Sequence, residues 1–348
     1  MIMEKRDICA CSIEELTKYL ESIGEKKFRA KQIYEWIHVK LCDDFDEMSN
    51  ISKNLREKLA EDFFVEKLRI EKVLTSKIDG TQKFLFRLRD DNIIESVLMH
   101  YKHGNSVCIS TQVGCRMGCR FCASTLDGMV RNLTSSEMLK EIYTIQRFSG
   151  ERVSNIVLMG SGEPMDNYEN VTNFVKSVSN ENGLHISQRN ITISTCGLID
   201  NIRRMADESF QATLALSLHA ADDETRRELM PIAKRYTISE ELDACRYYFE
   251  KTGRRITFEY SLVAGVNDNL DEASKLYELV KDINCHVNLI PVNPIKERNY
   301  KRSSMKNINN FKSFLERKGV NVTVRREMGS DIQGACGQLR KSFIEEET

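Results

Sequence analysis

The sequence predicts an α/β protein: an incomplete parallel barrel of six βα units, a partial (βα)6 fold, preceded by a small helical accessory domain and a β-hairpin extension. Three observations carry that expectation. From Ser106 onward, short apolar runs alternate with helical patterns at the intervals of βα units. Residues 1–75 read mostly as short amphipathic helices, and from Lys67 to Tyr101 the pattern turns to period two, with residues 76–105 taken as the hairpin extension. A chain of 348 residues can bury a full core and still carry a smaller unit.

Within residues 1–75, Ser12 and Glu15 fit a capping box ahead of Leu16 and Leu20. Ala30, Ile33, Tyr34 and Ile37 fall on one helical face, and Ile51, Leu55 and Leu59 on another. Three short helices cover their own apolar stripes poorly, which makes this an accessory domain. Its second helix starts with Lys26, Lys27, Arg29 and Lys31, either a solvated face or an RNA contact. In the extension, Phe84, Phe86 and Leu88 alternate with polar residues, Asp90, Asp91 and Asn92 supply a turn, and residues 93–101 return as a hairpin. Glu95 lies in that returning strand, either on a solvated face or placed for use. The core, residues 106–348, offers strands at 106–111, 155–160, 190–195, 212–218, 256–263 and 286–292, with 321–326 as a last one. Helical patterns lie between them, such as 135–148 and 270–281. In sheets of this kind chemistry gathers at the carboxyl ends of the strands.

Composition narrows the class. Hydrophobic content of 41% and charged content of 30% belong to a soluble protein. No apolar run approaches the ~20 residues of a membrane span. The opening MIMEKRDICAC has no signal-peptide h-region, so a cytoplasmic location is expected. Eleven cysteines, an odd number, then point to a reducing compartment where thiols do metal or redox chemistry. Lys and Arg number 51 against 52 Asp and Glu. An RNA-binding surface would therefore need its basic residues segregated onto one face.

The chemistry-bearing stretches sit where the barrel reading places strand ends. Cys115, Cys119 and Cys122 have C-x3-C-x2-C spacing, with Phe121 before the last thiol. Thiolates select iron–sulfur clusters, zinc or Cu(I). Clusters normally take four cysteines, so three on a four-iron cube leave one iron for a ligand that is not protein. A zinc knuckle would want a fourth ligand nearby, and the run offers none. Three buried apolar thiols are the bland alternative. The next strand closes on Met159-Gly160-Ser161-Gly162-Glu163-Pro164, where glycines permit close backbone approach and Glu163 can accept from an ammonium. Ser194, Ser217, His219 and Asn293 follow later strands and could each be merely a loop-start polar residue. Cys336 stands in a glycine-rich polar stretch with Arg325, Arg326 and Asp331, surroundings in which a thiolate could be stabilised. A basic loop at 296–306, with Arg131 and Asn132, is either an RNA contact or a solvated surface.

CRMGCRFC resembles the signature of the radical S-adenosylmethionine (SAM) superfamily. Together with RNLT, MGSGEPMDN, LSLHA and GSDIQGACGQL, it closely resembles the bacterial RlmN family of adenine-C2 RNA methyltransferases, across nearly the whole core. The N-terminal helices fit that family's accessory RNA-binding domain. The resemblance implies a 4Fe–4S cluster on Cys115, Cys119 and Cys122, with SAM on the fourth iron. It implies that Gly162, Glu163 and Pro164 bind the SAM amino group. Ser194, Ser217, Leu218, His219 and Asn293 are then expected to contact its ribose, carboxylate or adenine. Cys336 is the implied methyl carrier, Cys108 the resolving thiol and Glu95 the proton acceptor. The implied substrates are an adenine in the peptidyl transferase region of 23S rRNA and the adenine beside the anticodon of tRNA. An electron donor such as flavodoxin or ferredoxin and a monomeric state are further expectations. Cys9, Cys11, Cys42, Cys196, Cys245 and Cys285 are read as structural or incidental.

The implied chemistry explains why two cysteines are needed outside the cluster. C2 of adenine is an electron-poor amidine carbon that cannot attack a sulfonium methyl. A methyl group is therefore first loaded on one cysteine, then activated as a carbon radical, and finally released from sulfur by a second thiolate. Alternatives are a C8-methylating, Cfr-like sister enzyme, a non-catalytic iron–sulfur RNA-binding protein, and a radical enzyme acting on protein or a small molecule. Ser124, Thr125 and Pro164 favour the C2 group over the C8 group, and the last alternative leaves Cys108 and Cys336 unexplained.

Overall fold

A computed structural model describes residues 5–334. The N-terminal unit holds three helices, α1 (Ile13–Ser22), α2 (Phe28–His38) and α3 (Lys53–Asp62). Ser12 caps α1 by accepting the Glu15 N–H at 3.1 Å, while the Glu15 carboxylate accepts the Ser12 N–H at 2.9 Å. The apolar stripes named from sequence, including Leu16, Leu20, Ile33, Ile37, Leu55 and Leu59, bury in a cluster separate from the main core.

Polar contacts dock this unit on the barrel. His38, at the end of α2, meets the Tyr143 hydroxyl at 2.8 Å through Nδ1. The buried Lys140 ammonium donates to the Cys42 carbonyl at 3.0 Å and to Asp43 at 2.8 Å. Burial holds His38 far below the ordinary histidine value, at about 3, with the nearby Lys140 charge adding to the effect, so the ring is neutral.

Ten strands form one sheet: β1 (Arg69–Thr75), β2 (Gln82–Arg87), β3 (Ile93–Tyr101), β4 (Gly104–Cys108), β5 (Val153–Leu158), β6 (Ile191–Thr195), β7 (Thr213–Ser217), β8 (Ile256–Leu262), β9 (Cys285–Pro291) and β10 (Val322–Val324). They lie in chain order across the sheet, antiparallel from β1 to β4 and parallel from β4 to β10. Helices fill every parallel crossover: α4 (Ser135–Ser149), α5 (Tyr168–Val178), α6 (Ile199–Asp207), α7 (Asp223–Leu229) with α8 (Ile238–Thr252), α9 (Leu270–Val280) and α10 (Met305–Arg317). Six βα units result, as the pattern predicted. The extension supplies three strands where the sequence suggested two. Charges at Arg69, Glu71 and Lys72 obscure the period in β1, which lies at the sheet edge where such residues are tolerated.

Alternation along the strands decides what reaches the barrel interior. On β8, Ile256, Phe258, Tyr260 and Leu262 join the main core, leaving Thr257, Glu259 and Ser261 on the opposite face. On β9, Cys285, Val287 and Leu289 do the same, leaving Asn288 and Ile290 opposite. The interior of the barrel thus receives the polar residues of β8 and β9, with Ile290 among them.

Candidate active site

An open cleft of about 920 Å³ lies at the carboxyl ends of the parallel strands. Cys115, Cys119, Cys122 and Phe121 form one wall of it. The loop carrying them is braced by a small hairpin, Gln112–Gly114 paired with Met129–Asn132. Gly114 has φ +74°, and a Cβ there would overlap the Gly128 carbonyl, so glycine is required at the entry to the thiol loop. Burial pushes the Cys115 thiol up to about 12. The Cys119 thiol is raised as well, by burial first and then by repulsion from Cys122 and Cys115. A bound cation reverses that preference, because coordination deprotonates a thiol.

The 160–164 turn faces this wall and is stitched to the strand leading into it. Thr111 and Gln112 N–H groups both donate to the Ser161 carbonyl, at 2.8 and 3.1 Å. The Glu163 N–H donates to Gln112 Oε1 at 2.9 Å. Gly162 has φ +109°, and a Cβ on it would stand 2.7 Å from the Gln112 nitrogen. Glu163 is buried, and burial raises its carboxyl above the usual range. Its oxygens accept the Met165 N–H at 3.0 Å and the Cys196 N–H at 2.8 Å. The Thr195 hydroxyl and the Cys196 thiol also bond to it, which takes up the roughly four lone-pair sites of a carboxylate, so an ammonium in the cleft would share or displace one of these donors.

Ser194, Ser217, His219 and Asn293 line the same cleft, as do Gly162, Glu163 and Pro164. The His219 ring is neutral, its value lowered by burial to about 3. Its Nδ1 accepts the Ser261 N–H at 2.9 Å, which places the ring proton on Nε2 as a donor. Phe121 meets this ring edge-on at 4.8 Å. Leu218 departs from expectation. Its side chain is fully buried in the main core, because it is out of phase with Ser217 and His219 along the strand direction. Its backbone is engaged too, the N–H with Glu259 O and the carbonyl with Arg226.

Arg226, unremarked in the sequence, sits beneath these strand ends with no exposed surface. Its guanidinium donates to the carbonyls of Leu218 at 3.0 Å, Cys196 at 3.0 Å and Ser217 at 3.2 Å. It also stands 2.8 Å from the equally buried Glu241, a charge pair without hydrogen-bond alignment. No sequence signal separates Arg226 from Arg227 beside it. Glu259, Ser261 and Arg325 also line the cleft. The first two were legible in principle, since polar residues at alternate positions in a parallel strand flanked by helices are unusual.

A second cleft of about 590 Å³ adjoins the first, and Met159, Ile290, Asn293 and Arg325 line both. Cys108 lies in this second cleft with Val97, Met99, Met328 and Gly334. Its row across the sheet is set by register: Lys83 opposes Val97, Val97 opposes Cys108, and Cys108 opposes Val157. Glu95 is buried on the same strand as Val97, 3.3 Å from the Lys83 ammonium, and lines neither cleft. Cys336 lies outside the described residues. Arg131, a candidate for RNA, is engaged by Glu137 at 2.8 Å and Asp90 at 2.6 Å, which ties the thiol-loop hairpin to the β2–β3 turn instead. From the basic loop, Arg302 reaches the mouth of the second cleft.

Residues 7–65 match the ribosomal RNA large subunit methyltransferase N-terminal domain, and residues 109–280 match the radical SAM superfamily. A probable dual-specificity RNA methyltransferase RlmN from Lachnoclostridium phytofermentans is 62% identical over 99% of this chain and 97% of its own length. The corresponding protein of Lachnospira eligens is 59% identical over 98% of this chain and 97% of its own. The chain belongs to the RlmN family. A solved radical SAM methyltransferase from Sphaerobacter thermophilus, 42% identical, superposes with a TM-score of 0.93 over 97% of this chain and 99% of that one. The protein is therefore a radical SAM RNA methyltransferase, and its cofactors are a 4Fe–4S cluster and SAM.

The cleft suits that RlmN pair of cofactors. Three thiols share one wall, and backbone and hydroxyl groups converge from the strand ends opposite. Among the described residues no three His, Cys, Asp or Glu side chains converge closely enough for a single metal ion. A four-iron cluster instead places each thiolate on its own iron. Among the described residues, too, no helix is long and apolar enough to cross a membrane.

Proposed function

We propose that the protein methylates C2 of an adenine in 23S rRNA, in the peptidyl transferase region, and of the adenine beside the anticodon in tRNA, through a methyl group carried on Cys336. The observation that carries this reading is the pair of joined clefts. Cys108 lines the second of them together with Gly334, which stands two residues before Cys336 in the sequence. The first cleft gathers the cluster thiols and the residues proposed for SAM, and the two communicate past Met159, Asn293 and Arg325. The N-terminal match to a large-subunit rRNA methyltransferase domain supports rRNA as one substrate, and the dual specificity in the relatives' names supports a second RNA.

When bound, the cluster and SAM supply an electron and a carbon radical able to take a hydrogen atom from the carried methyl group. The chain's own residues do the rest. Cys115, Cys119 and Cys122 hold the cluster. Glu163 and the Gly162 turn hold the SAM ammonium, while Ser194, Ser217, neutral His219 and Asn293 face its ribose, carboxylate or adenine. The Cys336 thiolate takes a methyl cation from one SAM and releases the thioether. After the methylene carbon has bonded to C2, one electron would pass to an acceptor such as the oxidised cluster, and the C2 proton is taken by Glu95, or by Cys108, which would then give it up to solvent before acting as a thiolate. The Cys108 thiolate then attacks the Cys336 sulfur and breaks its bond to the methylene carbon, the electron pair of that bond takes up a proton from solvent to complete the methyl group on the RNA, and the two sulfurs are left as a disulfide. The adenine must leave its stack to reach this point, at a cost of a few kcal/mol that favours loops over duplex. The basic 296–306 loop is the proposed contact for its phosphates; its Arg302, which lines the second cleft, pairs with Glu327 at 2.5 Å and would exchange that partner for a phosphate.

The test is mass spectrometry of nucleosides from rRNA and tRNA of cells with and without the protein. Loss of 2-methyladenosine from both RNAs is the expected result. Loss of 8-methyladenosine instead would move the activity to the sister chemistry.

A further inference from the structure

We infer that Lys83 and the β1–β2 turn form a latch that positions the segment carrying Cys336, with Lys83 as a positioning residue shared between that segment and Glu95. This rests on the reading of Cys336 as the methyl carrier. The turn, residues 76–81, is itself rigid: the Ser76 N–H donates to Thr81 O at 2.8 Å, and the Thr81 N–H donates to Asp79 Oδ1 at 3.0 Å. The other Asp79 oxygen accepts the Gly329 N–H at 3.1 Å. Asp331 answers from the opposite side, accepting the Lys77 N–H at 2.9 Å. Between them the Thr81 methyl packs so close that a Cβ on Gly329 would stand 3.0 Å from it.

The segment so held is a compact turn. Gly329 O accepts both the Ile332 N–H at 3.2 Å and the Gly334 N–H at 3.0 Å, and Gln333 adopts φ +51°. The Lys83 ammonium donates to the Gln333 carbonyl at 3.3 Å, three residues before Cys336. Lys83 has no exposed surface and sits on the sheet row that continues through Val97 to Cys108. An ammonium in an apolar row is costly unless its charge is compensated, and here Glu95 provides the compensation at 3.3 Å. An aliphatic side chain would fill the same place without that cost. One charged group therefore bridges the proposed proton acceptor and the backbone at Gln333, three residues before the proposed methyl carrier in the sequence.

Hydrogen exchange and half-reaction assays on the full-length holoenzyme test this with Lys83→Met and, separately, with Asp79→Ala/Asp331→Ala at the exposed turn. Lys83→Met is expected to keep wild-type iron content and SAM affinity. Amides of 329–334 should exchange about ten-fold faster, and kcat for RNA methylation should fall about ten-fold or more with KM for RNA little changed. A merely structural lysine would lower iron content or folded fraction without accelerating that segment selectively. Exchange and kcat within about two-fold of wild type in Lys83→Met would overturn the inference. If that variant does not fold, the turn variant decides, with unchanged exchange over 329–334 counting against the latch. Wild-type enzyme that acquires no methyl group on Cys336 would instead sink the proposed function, while the exchange result would still judge the latch.

Discussion

Replacing Arg226 by methionine removes a guanidinium that holds the ends of β6 and β7 from below. Three strand-end carbonyls, at Cys196, Ser217 and Leu218, lose their donor, and the buried Glu241 loses its counter-charge at 2.8 Å. Breaking a buried pair by deleting one partner costs about 3–5 kcal/mol, a large part of a total stability of about 5–15 kcal/mol. The double variant Arg226→Met/Glu241→Met removes the stranded carboxyl as well, and a buried pair exchanged for apolar residues is close to neutral. Stability should therefore return in part in the double variant, which still leaves the three carbonyls without their donor. Cofactor affinity should not, because the carbonyls still lack their donor and Ser217 and His219 sit on those strand ends. We expect SAM to bind about ten-fold more weakly in both variants, equivalent to about 1.4 kcal/mol. Urea unfolding and equilibrium SAM binding on the cluster-loaded protein give the two quantities. The reasoning is refuted if the single variant binds SAM as wild type does, or if the double variant is as unstable as the single.

Gly162→Ala, at φ +109° with the Gln112 backbone nitrogen 2.7 Å from the new carbon, should weaken SAM binding by about ten-fold or more through about 1–3 kcal/mol of strain; an affinity equal to wild type contradicts this. His38 titrates at about 3 in the folded protein against 6.5 in the open chain. The unfolded chain thus binds more protons between those values, and this group's contribution to stability is present above pH 6.5 and lost as pH falls toward 3. About 1.5 units below 6.5 the loss is about 2 kcal/mol, so His38→Gln should show a shallower acid slope in denaturant titrations, and parallel slopes would count against it. Cys108→Ala should leave Cys336 able to bond carbon to RNA but unable to be released, trapping a covalent enzyme–RNA adduct on denaturing gels. Free methylated RNA at the wild-type rate from that variant would remove Cys108 from the resolving role.

What could be read directly from the chain was whatever is local in it. The thiol spacing of Cys115, Cys119 and Cys122 lies within eight consecutive residues, and the 160–164 turn and the capping box of Ser12 and Glu15 are equally contiguous. The helical and strand periods gave the order of the six βα units, because each repeat buries its apolar face in the same core. What was missed depends on contacts between distant segments. Arg226 owes its place to carbonyls from two other strands and to Glu241 on α8. Lys83 owes its burial to Glu95 and Gln333, the latter 250 residues away. Leu218 was grouped with its neighbours by motif, whereas the period of two sends its side chain into the helical layer. Strand β1 escaped because an edge strand tolerates the charges that blur its pattern.

The passage of one methyl group through the protein admits a direct isotopic test. Enzyme loaded with a CD3 group on Cys336, freed of excess label and then given unlabelled SAM and RNA, should yield methyladenosine retaining two of the three deuterium atoms, because one is removed before carbon joins C2. A product with three deuterium atoms, or with none, would contradict the account.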